Sequence, residues 1–316
     1  MRHSHLSTSI GIARTLSPVF VVLLLATPGN GAFTKIDDLE SLVPGQPVNG
    51  QGDWHSELVN QFEPAGVSLD PADASNNVLR IGQGNYSGGR LGHRETTNTN
   101  SNLVIPNGAV ATLFFRTKYG AQQMDFSVGM TDVANPISDT IFNSFSQFES
   151  QIGFSFTPGA DGLDISDAGT ARELTTQISK DTWYNVWMVI DNLSDTTQVY
   201  MQGGAFATQT LLTAGAQDKF RFRNSGIGPQ SNDLLTFFIA TGRNTSNQPP
   251  RPTEHVGPAF VDDLYIDRSG VNLTNPIPEP STGVLAAVGL SALALLSRRG
   301  RRAARNAEAK AGVRFN

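Results

Sequence analysis

The chain of 316 residues contains no cysteine, 16% charged residues and 31 glycines. The lack of cysteine excludes disulfide bonds, thiolate metal sites and catalytic thiols, and abundant glycine favours a turn-rich β protein over a helical bundle. The formal net charge of −5 is unevenly distributed, because residues 33–280 hold 14 Lys and Arg against 27 Asp and Glu. Such an acidic body repels phosphate backbones, so we expect no nucleic-acid partner.

Residues 1–32 have the layout of a secretory signal peptide. Arg2 and Arg14 precede an apolar run from Leu16 to Ala26, and small residues follow it. This run is too short to span the ~30 Å hydrocarbon core of a bilayer, so it indicates an export signal rather than a membrane anchor. We therefore expect the secretion translocon to be a partner of the chain.

Residues 33–275 predict a single all-β ectodomain. Runs of β-branched and aromatic residues with period-two alternation recur between turns rich in Gly, Pro, Asn and Asp, which is typical of strands. Alternation in one run directs Phe126 to one face and Ser127 to the other. The spacing of Trp183 and Trp187 places both on one face, and we expect both to be core residues. The predicted strands are Val78–Ile81, Val110–Tyr119, Met124–Met130, Gln151–Phe156, Trp183–Ile190, Thr197–Met201, Lys219–Phe222, Leu234–Ala240 and Ala259–Ile266.

The strand series resembles the concanavalin A-like lectin/glucanase superfamily in its laminin-G-like form. The resemblance rests on the run Trp183–Asp191 followed by Gln198–Gly203, and on the acidic terminal segments Ile36–Ser41 and Phe260–Asp267. It implies an antiparallel β-sandwich of the jelly-roll type. It also implies that the first and last strands pair, which would bring the two acidic segments together.

Catalytic motifs are sparse in this sequence. The Glu-x-Asp-x-x-Glu strand of related glucanases is missing, although glycoside hydrolysis needs two flanking carboxylates. Asp262 and Asp263 are adjacent, so in a regular strand they would leave opposite faces. The histidines beyond residue 32 are His55, His93 and His255, which lie far apart in sequence. We expect no enzymatic activity, and a polysaccharide lyase or glycoside hydrolase with an unfamiliar acid/base pair is the alternative.

Sugar recognition requires an exposed aromatic face with amide, Arg or carboxylate groups nearby. Trp54 offers such a face in one predicted loop. A second predicted loop offers Tyr86, Arg90, His93, Arg94 and Glu95. These residues predict binding of an extracellular polysaccharide, and a purely structural matrix component without a small ligand is the alternative.

Asp161, Asp164 and Asp167 form an acidic stretch with one carboxylate at every third position. Jelly rolls sometimes hold calcium with loop acids, whereas an EF-type loop would place its ligands at every second position. The sequence thus leaves two readings of this stretch, a calcium site and a plain acidic turn. We expect no other cofactor.

The C-terminal region has three consecutive parts. Residues 276–281 contain Pro278, Glu279 and Pro280, residues 282–297 are apolar and uncharged, and residues 298–316 form a basic tail. As a helix the apolar part would rise ~22 Å and cross the bilayer with help from its flanks. Short basic flanks stay cytoplasmic, so the tail should remain inside. The basic cluster consists of Arg298, Arg299, Arg301 and Arg302.

A Pro-Glu-Pro tripeptide, a short apolar helix and an arginine cluster in this order resemble the PEP-CTERM sorting signal. The resemblance implies an exosortase-like protease as a partner of the chain. It further implies anchoring in the inner membrane before processing, followed by delivery to the cell surface or the extracellular matrix. Residues 303–316 run further past the arginines than these signals usually do.

Overall fold

The computed structural model describes residues 32–48, 50–58, 66–81, 90–94, 103–120, 126–133, 147–157, 160–225, 231–241 and 258–277. Within these ranges, the backbone alone is described at 55–58, 90–94, 119, 155–157, 160–161 and 240–241. The predicted signal peptide, the Pro278–Pro280 tripeptide, the membrane segment and the basic cluster lie outside the described residues. None of the described residues belongs to a helix long and apolar enough to cross a membrane.

Two antiparallel sheets make up the described part of the chain. In the nine-stranded sheet the order is β13-β12-β11-β6-β16-β4-β3, with β1 beside β16 and β14 beside β12. Its strands are β1 Thr34–Asp37, β3 Gly66–Asp70, β4 Asp73–Ile81, β6 Val110–Tyr119, β11 Tyr184–Asp191, β12 Thr196–Gly203, β13 Phe206–Leu211, β14 Phe220–Arg221 and β16 Ala259–Asp267.

The seven-stranded sheet has the order β10-β9-β8-β7-β15-β5-β2. Its strands are β2 Trp54–Leu58, β5 Arg90–Arg94, β7 Phe126–Thr131, β8 Ser150–Thr157, β9 Ala160–Asp167, β10 Thr170–Thr175 and β15 Thr236–Thr241.

The core lies between the inner faces of the two sheets. Leu113 and Phe115 of β6 are fully buried in one hydrophobic cluster with Phe126 and Val128 of β7, since every second residue of a strand faces the same side. Ser127 lies between Phe126 and Val128 in β7, so it faces the outer side of the seven-stranded sheet, where it lines a pocket. These contacts confirm the predicted all-β antiparallel sandwich.

The first and last strands of the sandwich pair, as predicted. Thr34 of β1 lies opposite Ile266 of β16, and a bulge interrupts β16 after Asp262. Asp263 has φ 53° at the bulge, which breaks the regular alternation. Arg116 Nη1 therefore lies 3.7 Å from Asp262 Oδ2 and 3.2 Å from Asp263 Oδ2. The expectation that these two carboxylates leave opposite faces is wrong for this reason.

A stretch that we call the C-terminal strap, residues 268–277, crosses the outer face of the nine-stranded sheet. The Trp187 indole N–H donates to Thr274 O at 2.9 Å, and Gln209 Nε2 donates to Leu273 O at 2.9 Å. Thr112 Oγ1 donates to the strap at Gly270 O, 2.8 Å away. Backbone carbonyls of the strap thus receive donors from β6, β11 and β13.

Aromatic rings under the strap correct the prediction for the two tryptophans. Trp187 is buried, and its ring packs edge-on against Phe114 of β6, with centroids 5.1 Å apart. Phe33 contacts the same Phe114 ring at 6.2 Å. Trp183 is only half-buried and packs beside Lys118. Both tryptophans share a face as predicted, but it is the outer face of the nine-stranded sheet and not the inter-sheet core.

Candidate functional site

The outer face of the seven-stranded sheet is polar across β7, β8 and β9. Apolar residues of these strands point into the core, so the alternate positions face outward. Ser127 lies opposite Gly153, and Gly153 lies opposite Asp164. Directly opposed residues of neighbouring strands share a face, so these three positions form one row across the sheet.

A pocket of about 380 Å³ lies over this row. Small-molecule sites are typically roughly 300–1,000 Å³, so its size suits a small ligand or one segment of a polymer. A Cβ added to Gly153 would lie 3.0 Å from Ser127 Oγ, so the missing side chain keeps this part of the floor open. The pocket is lined by Ser127, Gln151, Gly153, Phe154, Asp164, Ile165, Ser166, Gly169, Ala171 and Arg223.

A chain of hydrogen bonds runs along one wall of the pocket. Arg223 Nη1 donates to Gln151 Oε1 at 2.9 Å, and Gln151 Nε2 donates to Ser127 Oγ at 2.8 Å. The first bond occupies the amide oxygen and so fixes which way the Gln151 amide points. Among the described residues, the buried Ser166 hydroxyl has no hydrogen-bond partner. The pocket therefore presents hydroxyl, amide and guanidinium groups in fixed positions.

Arg223 is supplied by the segment that follows β14. Its backbone N–H donates to Glu149 O at 2.8 Å, which ties this segment to the start of β8. Partial burial lowers the pKa of the Arg223 guanidinium below its usual value. The group stays protonated at any physiological pH, because the ordinary pKa of an arginine lies far above that range.

Glu149 is a buried carboxyl at the edge of the same face, and its side chain is not among those that line the pocket. Glu149 is 4% exposed, and burial raises its pKa even though Asn224 Nδ2 donates to Glu149 Oε1 at 2.8 Å. Within the described part of the chain, Oε2 has no hydrogen-bond partner. Burial thus makes the Glu149 carboxyl harder to ionise than an exposed carboxyl.

Trp54, predicted as an exposed sugar-binding ring, is instead a core residue. It is 1% exposed, its indole N–H donates to Asp37 Oδ2 at 2.9 Å, and its ring packs edge-on against Phe237 at 6.2 Å. A ring enclosed in this way has no free face for a sugar. The correction follows from the position of Trp54 in strand β2, which the sequence had placed in a loop.

The other predicted sugar-binding residues lie in strand β5 or outside the described residues. The β2–β5 pairing brings the two predicted loops together, with His55 opposite His93 and Trp54 opposite Arg94. Arg90 begins β5, and nothing further is described for the side chains of this strand. Tyr86 and Glu95 lie outside the described residues.

Two of the predicted calcium residues, Asp164 and Asp167, do not converge on one point. Asp164 and Asp167 are three positions apart on β9, so they face opposite sides of the sheet. Asp164 lines the pocket, whereas Asp167 binds Arg221 Nε at 3.2 Å. At Asp161 the structure describes the backbone alone. The described residues contain no group of three or more His, Cys, Asp or Glu that could hold a metal ion.

Sequence reasoning missed Gln151, Ser166 and Arg223 as site residues. The first two could have been found from the polar and glycine positions that alternate with apolar ones in β8 and β9. Arg223 comes from an irregular segment, so no periodicity in the sequence indicates where its side chain points.

Comparison with known proteins identifies the C-terminal motif. Residues 276–302 match the family described as the PEP-CTERM protein-sorting motif, which confirms the resemblance stated from the sequence. This motif marks a chain for export, membrane anchoring and processing by exosortase-type sorting machinery. A search of curated proteins finds no match to the chain.

Several solved structures resemble the sandwich. The catalytic domain of a glycoside hydrolase family 131 protein from Coprinopsis cinerea aligns at 12% identity and TM-score 0.45, covering 77% of this chain and 99% of that one. Lectin II from Ulex europaeus aligns at 9% identity and TM-score 0.46, covering 71% and 94%. A PL-14 alginate lyase from Aplysia kurodai aligns at 11% identity and TM-score 0.41, covering 63% and 86%. The fold assignment itself rests on the strand order of this chain.

Proposed function

We propose that this chain is an exported, non-enzymatic surface or matrix protein that binds polysaccharide in the pocket over β7, β8 and β9. The sorting motif at residues 276–302 supports delivery beyond the membrane. The observation that carries the binding proposal is the hydrogen-bonded wall formed by Arg223, Gln151 and Ser127.

The chemistry of the wall suits a sugar. Saccharides present dense hydroxyl groups, which need donors and acceptors held at fixed angles, and ligand sites supply these as a few well-placed polar groups. Here the amide of Gln151 is fixed from both ends by Arg223 and Ser127. The site therefore loses little side-chain entropy when a ligand binds.

The carboxylate content of the pocket supports binding rather than cleavage. Glycoside hydrolysis requires two carboxyl groups that flank the scissile bond. Asp164 is the single acid among the described residues that line the pocket, and Glu149 stands outside the lining with its carboxyl enclosed. Hydrolysis would need a second acid that the described pocket does not supply.

The direct test uses the full-length chain purified in neutral detergent. Affinity electrophoresis against bacterial and algal polysaccharides, with and without Ca²⁺, measures binding, and an assay for new reducing ends in the same mixtures measures cleavage. We expect retardation without new reducing ends. New reducing ends would show that the protein is an enzyme, and a chain that no polysaccharide retards would favour a purely structural role.

A paired substitution on edge strand β10 locates the binding surface. Ala171 lines the pocket, and Thr170 is its exposed neighbour on the alternate face. Ala171→Ile should weaken retardation at least about fivefold by filling space in the pocket, because a β-branched side chain is well tolerated in a strand. Thr170→Ile, with the same new side chain, should leave retardation unchanged. Equal effects of the two variants would place the ligand elsewhere.

A further inference from the structure

Arg223 differs from other arginines of the sandwich in having no acidic partner. Arg116, Arg172 and Arg221 each have an aspartate oxygen within ion-pair distance, at 3.2, 3.6 and 3.2 Å. Among the described residues, no carboxylate lies within ion-pair distance of Arg223, and burial is the one cause that shifts its pKa. The half-buried positive charge of Arg223 therefore has no ion-pair partner among the described residues, although Asp164 lines the same pocket.

The guanidinium retains most of its hydrogen-bonding capacity. An arginine side chain has five N–H donors in a planar fork, and one of them, at Nη1, donates to a described residue, Gln151, through its Oε1. Guanidinium groups that are partly removed from water are normally paired with carboxylate, phosphate or sulfate oxygens. The unused donors at Arg223 thus fit a negatively charged oxygen group.

The direction of the hydrogen bonds along the wall also favours a ligand that accepts hydrogen bonds. Ser127 Oγ accepts from Gln151, so its own O–H is left to donate, and none of the described residues accepts it. The Ser166 hydroxyl likewise has no partner within the described part of the chain. Arg223 and Ser127 therefore have unused donors at the pocket, and the enclosed Ser166 hydroxyl beside them lacks an acceptor. A ligand rich in acceptor oxygens suits such a lining.

Most acidic residues of the body act on such a ligand only at long range, and Asp164 is the one acid among the described residues that line the pocket. Charges separated by more than about 8 Å are largely screened at physiological ionic strength. A guanidinium in contact with an anion in a partly desolvated pocket is screened much less. The local pairing at Arg223 therefore decides which ligand the pocket prefers.

We propose that the pocket binds the anionic group of an acidic saccharide, with the Arg223 guanidinium pairing with its carboxylate or sulfate oxygens. Ser127 and Ser166 donate to the remaining oxygens of the same sugar residue. This inference rests on the proposed polysaccharide-binding function and names the class of saccharide. A uronate carboxylate and a sulfate ester present the same acceptor chemistry, so the experiment compares both.

Titration calorimetry on the full-length chain in neutral detergent can test this assignment. The probes are oligogalacturonate, oligoalginate and a sulfated galactan oligosaccharide, each matched with a carboxyl-reduced or desulfated form of equal length. We expect at least one acidic probe to bind at least about tenfold more tightly than its neutral match. Whether the uronates or the sulfated probe bind more tightly identifies the source of the anionic group.

Variants separate a binding role for Arg223 from a structural one. Arg223→Gln should reduce the affinity for the acidic probe to that of its neutral match, and Arg223→Lys should restore part of the difference. Arg221→Gln removes the same charge two residues away, where it is paired with Asp167, and should retain the preference. The melting temperature of Arg223→Gln should change little, because the variant loses one hydrogen bond to Gln151 and no ion pair, whereas a structural role would lower it clearly.

Two different failures can be distinguished. If neutral and acidic probes bind equally and Arg223→Gln weakens neither, the anionic preference is wrong while polysaccharide binding stands. If no saccharide of either kind binds the chain, the proposed function fails and this inference fails with it.

Discussion

Asp262 is a carboxyl group whose ionisation opposes folding. It is 1% exposed, and burial together with the neighbouring Asp263 raises its pKa from 3.8 to about 7. Asn76 Nδ2 donates to Asp262 Oδ2 at 3.0 Å, and Arg116 lies 3.7 Å away, but these contacts do not compensate for burial. The folded chain therefore favours the protonated form of Asp262.

The raised pKa predicts that Asp262 destabilises the fold as the pH rises. Relative to high pH, protonation of Asp262 raises the free energy of unfolding by up to about 4 kcal/mol. This stabilisation is complete below about pH 4 and is lost between about pH 4 and 7. Asp262→Asn cannot ionise, so this variant should melt at a higher temperature than the native chain at pH 8. The difference should disappear near pH 4, as measured by thermal unfolding of the full-length chain across this range.

Asp267→Asn is the control, and we expect it to change the melting temperature in the opposite direction. Burial alone would raise the pKa of Asp267, but hydrogen bonds from Ser269 and Asn272 hold it below its ordinary value. Its carboxylate stabilises the fold above about pH 4, so Asp267→Asn should melt at a lower temperature at pH 8. A higher melting temperature for both variants would mean that removing any negative charge suffices, and would contradict the assignment to Asp262.

At the scale of the strands, alternation predicted the central elements and missed the edges. The predicted run Val110–Tyr119 coincides with β6. The predicted run Trp183–Ile190 begins and ends one residue before β11. These strands have neighbours on both sides, so their apolar pattern is dense. Edge strand β10 is exposed at four of its six positions. Strand β9 lies inside the sheet, between β10 and β8, but was also missed, because it carries the acids that suggested a calcium site or a turn. Strands with so little apolar surface give weak periodicity.

The candidate site was predictable only in part. Ser127 was assigned correctly to the face opposite Phe126, because that depends on alternation alone. The pocket, however, joins four strands, β7, β8, β9 and β10, to the irregular segment of Arg223. The pairing of these elements depends on contacts between residues far apart in the chain, which a local pattern does not contain.

Gly129 on β7 should tolerate no side chain. A Cβ at this position would lie 1.8 Å from the backbone oxygen of Ser150 on β8, so Gly129→Ala must push the two strands apart. We expect a loss of about 2 kcal/mol or more, which lowers the melting temperature by at least about 4 °C.

Gly153→Ala provides the matched control on the neighbouring strand β8. Its new Cβ would meet the Ser127 hydroxyl at 3.0 Å and no backbone atom closer than 3.7 Å. A hydroxyl can rotate away, so this change should cost less than about 1 kcal/mol. Equal losses in the two variants would show that strand β7 can shift to accommodate a side chain.

The whole molecule joins a folded body to a sorting signal through a short connection. The C-terminal strap is held on the nine-stranded sheet by Thr112, Trp187 and Gln209. The predicted membrane segment begins at residue 282, so residues 278–281 separate it from the strap and can span at most about 14 Å when extended. The exosortase recognition sequence therefore lies within this distance of a folded surface.

Changing Glu279 tests the sorting motif in the complete chain. Glu279→Ala should leave membrane insertion intact, because the apolar segment and the arginine cluster are unchanged, but should impair exosortase-dependent processing. Pulse-chase labelling in cells with and without the exosortase distinguishes the precursor from the processed form. Lys35→Ala, a change on exposed strand β1, should process normally. Processing of Glu279→Ala at the native rate would contradict the role given to the motif.

The course of the strap has a mechanical consequence for a tethered protein. Its hydrogen bonds to Trp187, Gln209 and Thr112 attach in that order at Thr274, Leu273 and Gly270. A force applied at the C terminus would therefore break them one after another, before it loads strand β16, which is bonded to neighbours on both sides. Peeling off residues 268–277 would lengthen the tether by up to about 35 Å, so the body could move away from its anchor under tension without unfolding.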